Sequence, residues 1–406
     1  MKTNTITDNQ VLNILQLNEN HFTDLKSKDI QPKKLSKSIS AFANSAGGEL
    51  YIGVKEIKEN NKVIGREWEG FENEEEANGC IQLFSNLFPL GENISYNFLV
   101  NPNQTGLVLQ VLILKTKDII TSSDSTPYIR RGAQSLPVNS PELLDRLKLD
   151  KGVDSFENRT LDIDLTLITD SIIVIKFLIE VVPSTEAEPW LKKQILIKEK
   201  LPTVAGVLLF SDTPQAILPK QSGIKIYRYS TKGEPTRETL AFDPLTIEGP
   251  IYDLIYDAVD ETVKIVESIS ILTEEGLDKT RYPKETLHEI ITNAVLHRDY
   301  SIPSDIHIRI FDNRIEIENP GKLPGHITIQ NILHEQFARN GTIVRLINKF
   351  PNPPNKDVGE GLNTAFDAMK KLRLKTPIIN EKDNTVLVII KHESLASSGQ
   401  FSEAVA

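Results

Sequence analysis

The segment Pro283–Tyr300 reads PKETLHEIITNAVLHRDY, and its pattern predicts an amphipathic helix. Pro283 suits the first turn of a helix. Apolar residues then recur at helical spacing on one face, namely Leu287, Ile290, Ile291 and Ala294. The opposite face carries Glu289, Asn293 and His297, each one helical turn from the next. A solvated polar face is the ordinary interpretation of such a stripe, so the interpretation depends on what surrounds it.

Two alternating apolar runs follow this helix. Ile306–Ile310 and Ile315–Ile317 are separated by Asp312-Asn313, which predicts a tight β-hairpin. The second run continues directly into Asn319-Pro320-Gly321. A helix with a carboxylate and an amide on one face is therefore followed by a strand that ends in an N-x-G element.

A glycine pair opens the next predicted helix. Gly359 and Gly361 precede the amphipathic run Leu362–Leu372. The segment Phe350–Asp357 comes just before them and is rich in Pro and Asn, as expected of a loop that moves over a bound ligand.

This order of elements resembles the GHKL ATPase fold of gyrase B, Hsp90, histidine kinases and MutL. Three stretches, YPKETLHEIITNAVLHRDYS, RIEIENPGKLP and ARN (338–340), are similar to the GHKL-type domain at the C-terminus of bacterial Schlafen-like ATP-binding proteins. The resemblance implies ATP and magnesium as ligands. Asn293 would contribute an oxygen ligand to the metal ion, and Glu289 would orient or deprotonate the water that attacks the γ-phosphate.

The same resemblance assigns the other nucleotide-binding positions. Gly359 and Gly361 would let the backbone approach the phosphates at the start of a helix. Asn319 and Gly321 would lie at the base. The GHKL class usually has Asp where this chain has Asn319; Asn still accepts a hydrogen bond but lacks the negative charge of that Asp. His297 is interpreted as a helix histidine packed behind the site.

Composition limits the remaining possibilities. The chain has 406 residues, which predicts two or three domains of mixed α/β (α+β) class. Its single cysteine, Cys80, rules out an intramolecular disulfide and a cysteine-based metal site. The chain has neither a long apolar run nor the apolar core of a signal peptide near its start, which predicts a cytoplasmic protein with no membrane partner. A net charge of −10 means that any nucleic-acid contact must come from a local basic patch.

The N-terminal region carries a second set of motifs. ENHFTDLK (19–26) precedes a predicted helix over 31–45, which leads into SAFANSAGGELYIGVKE (40–56) and a strand over 49–54. These stretches, with YIRRG (128–132), resemble the Schlafen AlbA-like domain. In nuclease members of that family, three acids hold a divalent metal ion for RNA cleavage, which implies metal-ligating and catalytic roles for Glu19, Asp24 and Glu56 with magnesium or manganese, and places Lys26 beside them.

Basic residues cluster beside these acids, and nucleic acid (RNA or DNA) is the partner that the resemblance implies. The cluster comprises Lys26, Lys28, Lys33, Lys34 and Lys37. A basic helix face of this kind either follows a phosphate backbone or is simply solvated. Arg130 and Arg131 are predicted either to face nucleic acid or to pair with carboxylates.

The predicted organisation is an AlbA-like domain over 1–150, a linker and connector over 151–275, a GHKL-type domain over 276–392 and a disordered tail over 393–406. Within the connector, 203–210 is interpreted as an apolar strand that forms a small sheet with 224–229. The amphipathic helix predicted over 247–271 suits packing between domains or between subunits. A homo-oligomer is therefore one of the assemblies that the sequence allows.

Three functions follow from these observations. The first is an ATP-binding protein whose GHKL module gates a Schlafen-type domain that cleaves RNA or DNA, in bacterial defence or stress responses. The second is a non-catalytic DNA-binding regulator switched by ATP, which would not need the three acids. The third is a histidine kinase with His288 as phospho-acceptor, disfavoured because HEIIT (288–292) overlaps the residues assigned to ATP.

Overall fold

The computed structural model describes residues 2–60, 62–87, 91–218, 222–273, 276–279, 282–354 and 361–392. The chain forms two compact units, Met1–Asp154 with Pro324–Thr328, and Ser155–Leu323 with Ile329–Ala406. We call them the N-terminal and C-terminal units. Both combine helices with sheets, which confirms the predicted α/β class. Among the described residues, the helices are too short or too polar to span a lipid bilayer.

The N-terminal unit alternates strands and helices. Its elements are β1 (Lys2–Thr5), α1 (Asp8–Gln16), β2 (Thr23–Lys26), α2 (Pro32–Asn44), β3 (Gly48–Ile52), β4 (Val54–Glu59), β5 (Lys62–Trp68), α3 (Asn78–Asn86), β6 (Ile94–Val100), β7 (Val108–Ile113), β8 (Tyr128–Arg131), β9 (Gln134–Pro137) and α4 (Pro141–Lys151).

Its main sheet has the order β1-β6-β7-β3-β2, with apolar side chains on both faces. Leu35, Ile39 and Phe42 of α2 pack against one face, while Leu25 of β2 belongs to the cluster on the other. Because side chains alternate along a strand, Asp24 faces the side opposite to Leu25 and lies beneath α2. The strand pattern alone therefore buries a carboxylate.

The C-terminal unit contains the following elements: α5 (Thr166–Thr169), α6 (Ile172–Val181), α7 (Ala187–Lys193), β10 (Ile197–Lys198), β11 (Leu201–Pro202), α8 (Val204–Phe210), α9 (Pro214–Ile217), β12 (Ile224–Arg228), β13 (Leu245–Ile247), α10 (Ile251–Glu267), β14 (Ser270–Thr273), β15 (Gly276–Lys279), α11 (Lys284–Leu296), β16 (Ile306–Ile310), β17 (Arg314–Pro320), α12 (Gly341–Ile347), α13 (Gly361–Lys371), β18 (Ile378–Glu381) and β19 (Thr385–Lys391).

One sheet organises this unit, in the order β13-β12-β16-β17-β19-β18. The predicted hairpin is confirmed, since β16 and β17 pair antiparallel with Ile308 opposite Ile317. Ile315 and Ile317 of β17 share one apolar core with helices α10, α11 and α13. This core fixes α11, and with it the polar stripe of Glu289 and Asn293, over the sheet.

Two sequence interpretations of the connector are wrong. Residues 204–210 form helix α8 rather than a strand; Thr203 caps it by accepting a hydrogen bond from the Gly206 N–H (3.1 Å), and every residue of the helix is buried. A short, uniformly apolar run does not distinguish a buried helix from a buried strand. Strand β12 pairs parallel with β16 in the six-stranded sheet, so the predicted small sheet does not form within the described part of 203–229.

Two helices differ from their predicted settings. The apolar face of α10 is buried in the core of its own unit, which leaves no basis in that face for a subunit contact. Helix α11 ends at Leu296, so His297 is its C-cap and not a third residue of the helical stripe. Removal from solvent, with the positive charge of Arg339 nearby, lowers the pKa of His297 to about 4. The predicted tail over 393–406 lies outside the described residues.

Candidate functional site

The polar face of α11 forms the centre of the candidate nucleotide site. Asn293 Nδ2 donates a hydrogen bond of 2.7 Å to Glu289 Oε1, so the carboxylate and the amide act as one pair. Burial raises the pKa of the Glu289 carboxyl, while the Asn293 bond and the neighbouring His288 oppose the rise. A carboxyl of this kind is held nearer to the pH at which it can accept a proton.

Gly361 lies directly against this pair. A Cβ atom at residue 361 would come within 1.8 Å of Glu289 Oε1, so the observed carboxylate position requires a glycine here. Gly361 is also the first described residue of α13. The structure thus brings together Glu289, Asn293 and Gly361 as the sequence predicts; Gly359 lies outside the described residues.

Asn319 and Gly321 follow one another at the end of β17. Asn319 continues the alternation of Ile315 and Ile317, so its side chain is on the helix-facing side of the sheet. Its Oδ1 atom is buried and has no hydrogen-bond partner among the described residues. Gly321 has φ +111°, and a Cβ there would lie 2.6 Å from the Cβ of Asp299, so only glycine fits.

These features fit a magnesium-bound nucleotide. A buried acceptor without a partner is costly unless a ligand supplies a donor. Asn293 has an amide oxygen of the kind that binds magnesium, and Gly361 adds no side chain next to the Glu289 carboxylate, which lies directly against it. The oxygen atoms at this site therefore agree with the predicted ligand.

An ion pair that the sequence analysis missed holds the end of α11. Arg339 Nη1 lies 3.3 Å from Asp299 Oδ2, and both side chains are almost completely buried. Arg339 Nη2 also donates to the Lys322 carbonyl (2.6 Å), and the Asp299 N–H donates to the Pro320 carbonyl (2.9 Å). The residues of this network belong to the HRDY, NPGKLP and ARN motifs. The family resemblance includes these motifs but gives them no physical role, so the ion pair itself was not predicted.

The residues around this pair hold the neighbouring segments. Asn340 Nδ2 donates to the carbonyls of Leu296 and Arg298 (both 2.9 Å), beyond the last intrahelical bonds of α11. Glu157 accepts from the N–H groups of Thr342 (2.8 Å) and Ile343 (2.9 Å), where its charge favours the first turn of α12.

The described part of the predicted lid is held in place. Tyr252 and Tyr256 donate to the carbonyls of Pro351 and Asn352 (both 2.5 Å), and His288 Nε2 lies 2.9 Å from the Pro354 carbonyl. The contact with the Pro354 carbonyl occupies Nε2 of His288, which argues against a role for this side chain as a phospho-acceptor. Residues 355–357, the remainder of the predicted lid, lie outside the described residues.

The N-terminal acids lie around a lysine. Lys26 Nζ is 3.0 Å from Glu19 Oε1 and 2.5 Å from Asp24 Oδ1. The other Asp24 oxygen accepts from Ser38 Oγ (3.0 Å) and pairs with Arg130 Nη1 (3.4 Å). Both oxygens of the buried carboxylate are therefore already used. Arg130 is buried in this pairing, while Arg131 is exposed.

The two acids have opposite pKa shifts. Burial and the adjacent Asp24 raise the pKa of Glu19, against the effect of Lys26. Burial also acts to raise the pKa of Asp24, but hydrogen bonding to Glu19 and the charges of Lys26 and Arg130 outweigh it, so the pKa of Asp24 is lowered.

Glu56 has other partners. Its carboxylate lies 2.9 Å from Lys58 Nζ and 3.8 Å from Arg66 Nη2. Within the described part of the chain, no group of three His, Cys, Asp or Glu side chains is arranged to hold a metal ion. The arrangement of Glu19, Asp24 and Glu56 does not fit the predicted metal site, because Lys26 occupies the place between the first two.

The N-terminus of α2 presents positive charge. Lys33 and Lys34 are exposed in its first turn, and neither forms an ion pair with a described residue. The N-cap, Gln31, makes no side-chain capping bond. Cations at a helix N-terminus oppose the helix dipole, so the position suits an anionic ligand.

Comparisons with known proteins match both regions. The Schlafen, AlbA_2 family model matches residues 19–139, and the model described as "Putative ATP-dependent DNA helicase recG C-terminal" matches residues 304–390. These matches confirm the predicted two-domain architecture. The second includes Asn319, Gly321 and Gly361 but begins after Glu289 and Asn293.

Among solved structures, the chain is similar to the DIP2311 protein from Corynebacterium diphtheriae, with 17% sequence identity, coverage of 96% of this chain and 80% of that one, and a TM-score of 0.46. A search of curated proteins gave no significant match.

We expect Asp299→Asn to lower the free energy of unfolding of the full chain by about 3–5 kcal/mol, because it leaves the buried Arg339 without its charge partner. Arg309→Met is the matched control. It removes the more exposed pair with Glu318 (2.6 Å) and should cost less than about 1 kcal/mol. Denaturant unfolding measures both, and equal effects would contradict a special role for the Asp299–Arg339 pair.

We also expect Glu289→Gln to raise the free energy of unfolding, by about 1 kcal/mol at pH 8, since it removes a partly buried charge and keeps an acceptor for Asn293. The folded state raises the pKa of Glu289 above its usual 4.5, so the cost of ionising it appears as the pH rises through that raised pKa.

The gain should therefore be smaller at pH 5 than at pH 8 in thermal unfolding. Glu285→Gln, on the exposed side of the same helix, should give no gain at either pH. If the gain in stability from Glu289→Gln is the same at pH 5 and pH 8, the ionisation of Glu289 is not its cause.

Proposed function

We propose that this chain, in which a Schlafen AlbA-like domain precedes an ATPase-type domain, binds magnesium-ATP and uses it to switch a nucleic-acid-binding domain. The observation that carries the nucleotide part is the meeting of Glu289, Asn293 and Gly361 at the start of α13. The unpartnered Asn319 oxygen at the end of β17 supports it from the base end.

The residues of the site have distinct tasks in this proposal. Magnesium, when bound, supplies the positive charge that phosphate oxygens need. Asn293 would present an amide oxygen to it, and Gly361, which has no side chain of its own, would let the backbone approach the phosphates beside the Glu289 carboxylate. Glu289 orients a water molecule and accepts its proton, for which a raised pKa is suited.

The nucleic-acid part rests on α2. Lys33 and Lys34 add two positive charges to an N-terminus that lacks a side-chain cap, a combination that attracts phosphate groups. The overall charge of −10 would otherwise repel nucleic acid. We therefore assign the contact to this local surface.

A regulator that binds without cutting agrees better with the acids than a metal-dependent nuclease. Lys26 and Arg130 already neutralise Asp24, and Glu56 pairs elsewhere. Cleavage of RNA or DNA is the second candidate, favoured by the closeness of Glu19 and Asp24, whose carboxylates both lie within 3.0 Å of Lys26 Nζ, since two neighbouring carboxylates can divide acid and base roles. A role in defence or stress responses stays a prediction from the family resemblance.

Asn293→Ala should weaken magnesium-dependent ATP binding by about tenfold or more, because it removes an oxygen ligand and the hydrogen bond to Glu289. Glu289→Gln should leave ATP bound while hydrolysis falls, as expected of a group that acts on water. Calorimetric titration with and without magnesium, together with phosphate release, measures both. Tight magnesium-ATP binding by Asn293→Ala would contradict the assignment of Asn293 as a magnesium ligand.

Replacing Lys33 and Lys34 by Ala should weaken binding of RNA and DNA and reduce its salt dependence by about one unit of slope for each lost phosphate contact. Lys192→Ala with Lys193→Ala, a lysine pair on α7, is the matched control and should change neither. Unchanged binding in the α2 variant would refute this interface.

The same preparations separate the two candidates when incubated with RNA and DNA, with and without ATP, magnesium or manganese. The regulator leaves both nucleic acids intact under every condition. Cleavage by the wild type that stops in Glu19→Gln, while binding persists, would instead establish the nuclease.

A further inference from the structure

The base end of the candidate nucleotide site carries an amide where a carboxylate is usual for the GHKL class. Asn319 lies in β17, whose pairing with β19 places it opposite Val386 and fixes its backbone. Its Oδ1 atom is buried without a partner among the described residues. No described group therefore holds the amide in one orientation through this oxygen.

The difference between an amide and a carboxylate affects which purines can bind, because purines differ in the group at position 6. Adenine has an amino group there, a hydrogen-bond donor, whereas hypoxanthine and guanine have a carbonyl, an acceptor. An ionised carboxylate only accepts hydrogen bonds, so it binds the amino group and repels the carbonyl. An amide has both an accepting oxygen and a donating nitrogen, which exchange places when the amide plane rotates by about 180°.

We propose that Asn319 makes this site accept 6-amino and 6-oxo purine nucleotides alike, so that ATP is not its exclusive ligand. The inference rests on the proposed nucleotide function and deepens it. Oδ1 accepts from the 6-amino group of adenine, and Nδ2 donates to the 6-carbonyl of an oxo-purine. Because β17 fixes the Cα position, the change needs only a side-chain rotation.

The two residue types differ in the hydrogen-bonding groups that each would leave without a partner when a purine binds. With Asn319, either purine satisfies one end of the amide, so neither leaves two acceptors facing each other. With Asp at residue 319, a 6-oxo purine bound in the same position as adenine would bring its carbonyl against the carboxylate, and only a shift of the ring that presents its N1–H would supply a donor. Selectivity for adenine is therefore a property that the single change to Asp would create.

The test is direct binding of nucleoside triphosphates to the full chain, with magnesium and without measuring turnover. The probes are ATP, inosine triphosphate (ITP), which has the 6-carbonyl but lacks the 2-amino group of guanosine, and CTP as a pyrimidine. For the wild type we expect ATP and ITP to bind within about threefold of each other and CTP to bind at least about tenfold more weakly.

Asn319→Asp should weaken ITP relative to ATP by about 10- to 100-fold, the value of one hydrogen bond to a charged group. Asn319→Ala is the companion variant, since it removes both ends of the amide; it should weaken ATP and ITP equally. Thermal unfolding of each variant verifies that the fold is retained, and the Ala variant keeps the test valid if Asp disturbs the strand.

The outcomes are distinguishable. A wild type that binds ATP at least about tenfold more tightly than ITP overturns this inference and leaves the nucleotide function standing. CTP binding as tight as ATP also overturns it, because the base is then not recognised at Asn319. A protein that binds none of the three contradicts the nucleotide function itself.

Discussion

The buried ion pair between Asp299 and Arg339 is the constraint on which the C-terminal unit depends. It joins three segments that are far apart in sequence: the residues after α11, the turn after β17 and the residues before α12. Desolvating two charges is expensive, and the hydrogen bond from Arg339 Nη2 to the Lys322 carbonyl helps to offset that cost. Gly321 is required because the Asp299 side chain fills the space beside it. The position of the base end relative to α11 is thus set by electrostatics and close packing together.

The N-terminal unit uses the same principle for another purpose. Asp24 is buried beneath α2 by strand alternation, and Lys26, Ser38 and Arg130 surround its two oxygens. A buried carboxylate matched so fully needs no further cation. The acids that resemble a nuclease site therefore have a structural explanation of their own, and motif identity alone does not distinguish an active centre from an internal ion pair.

The sequence predicted the elements whose pattern is both long and periodic. Helix α11, the β16–β17 hairpin and helix α2 follow from apolar spacing and turn residues, and the grouping of Glu289, Asn293 and Gly361 follows from them. Helix α8 was misassigned because its run is apolar on every side, so it has no periodicity to detect. Which of the two roles left open for Arg130 holds was not predictable, since its contact with Asp24 joins segments distant in the chain that only the folded sheet brings close.

The remaining question is how a site with a carboxylate at its centre receives a triphosphate. Glu289 lies directly against Gly361, so in the proposed site an ionised Glu289 would repel phosphate oxygens that approach α13. Burial already raises its pKa, which lessens the charge that the site carries before binding. In this structure Asn293 Nδ2 donates a hydrogen bond to the Glu289 carboxylate, and the amide oxygen of Asn293 is of the kind that binds a cation. Nucleotide binding at this site must therefore be linked either to a bound cation or to proton uptake, and the amide–carboxylate pair is the place where both linkages meet.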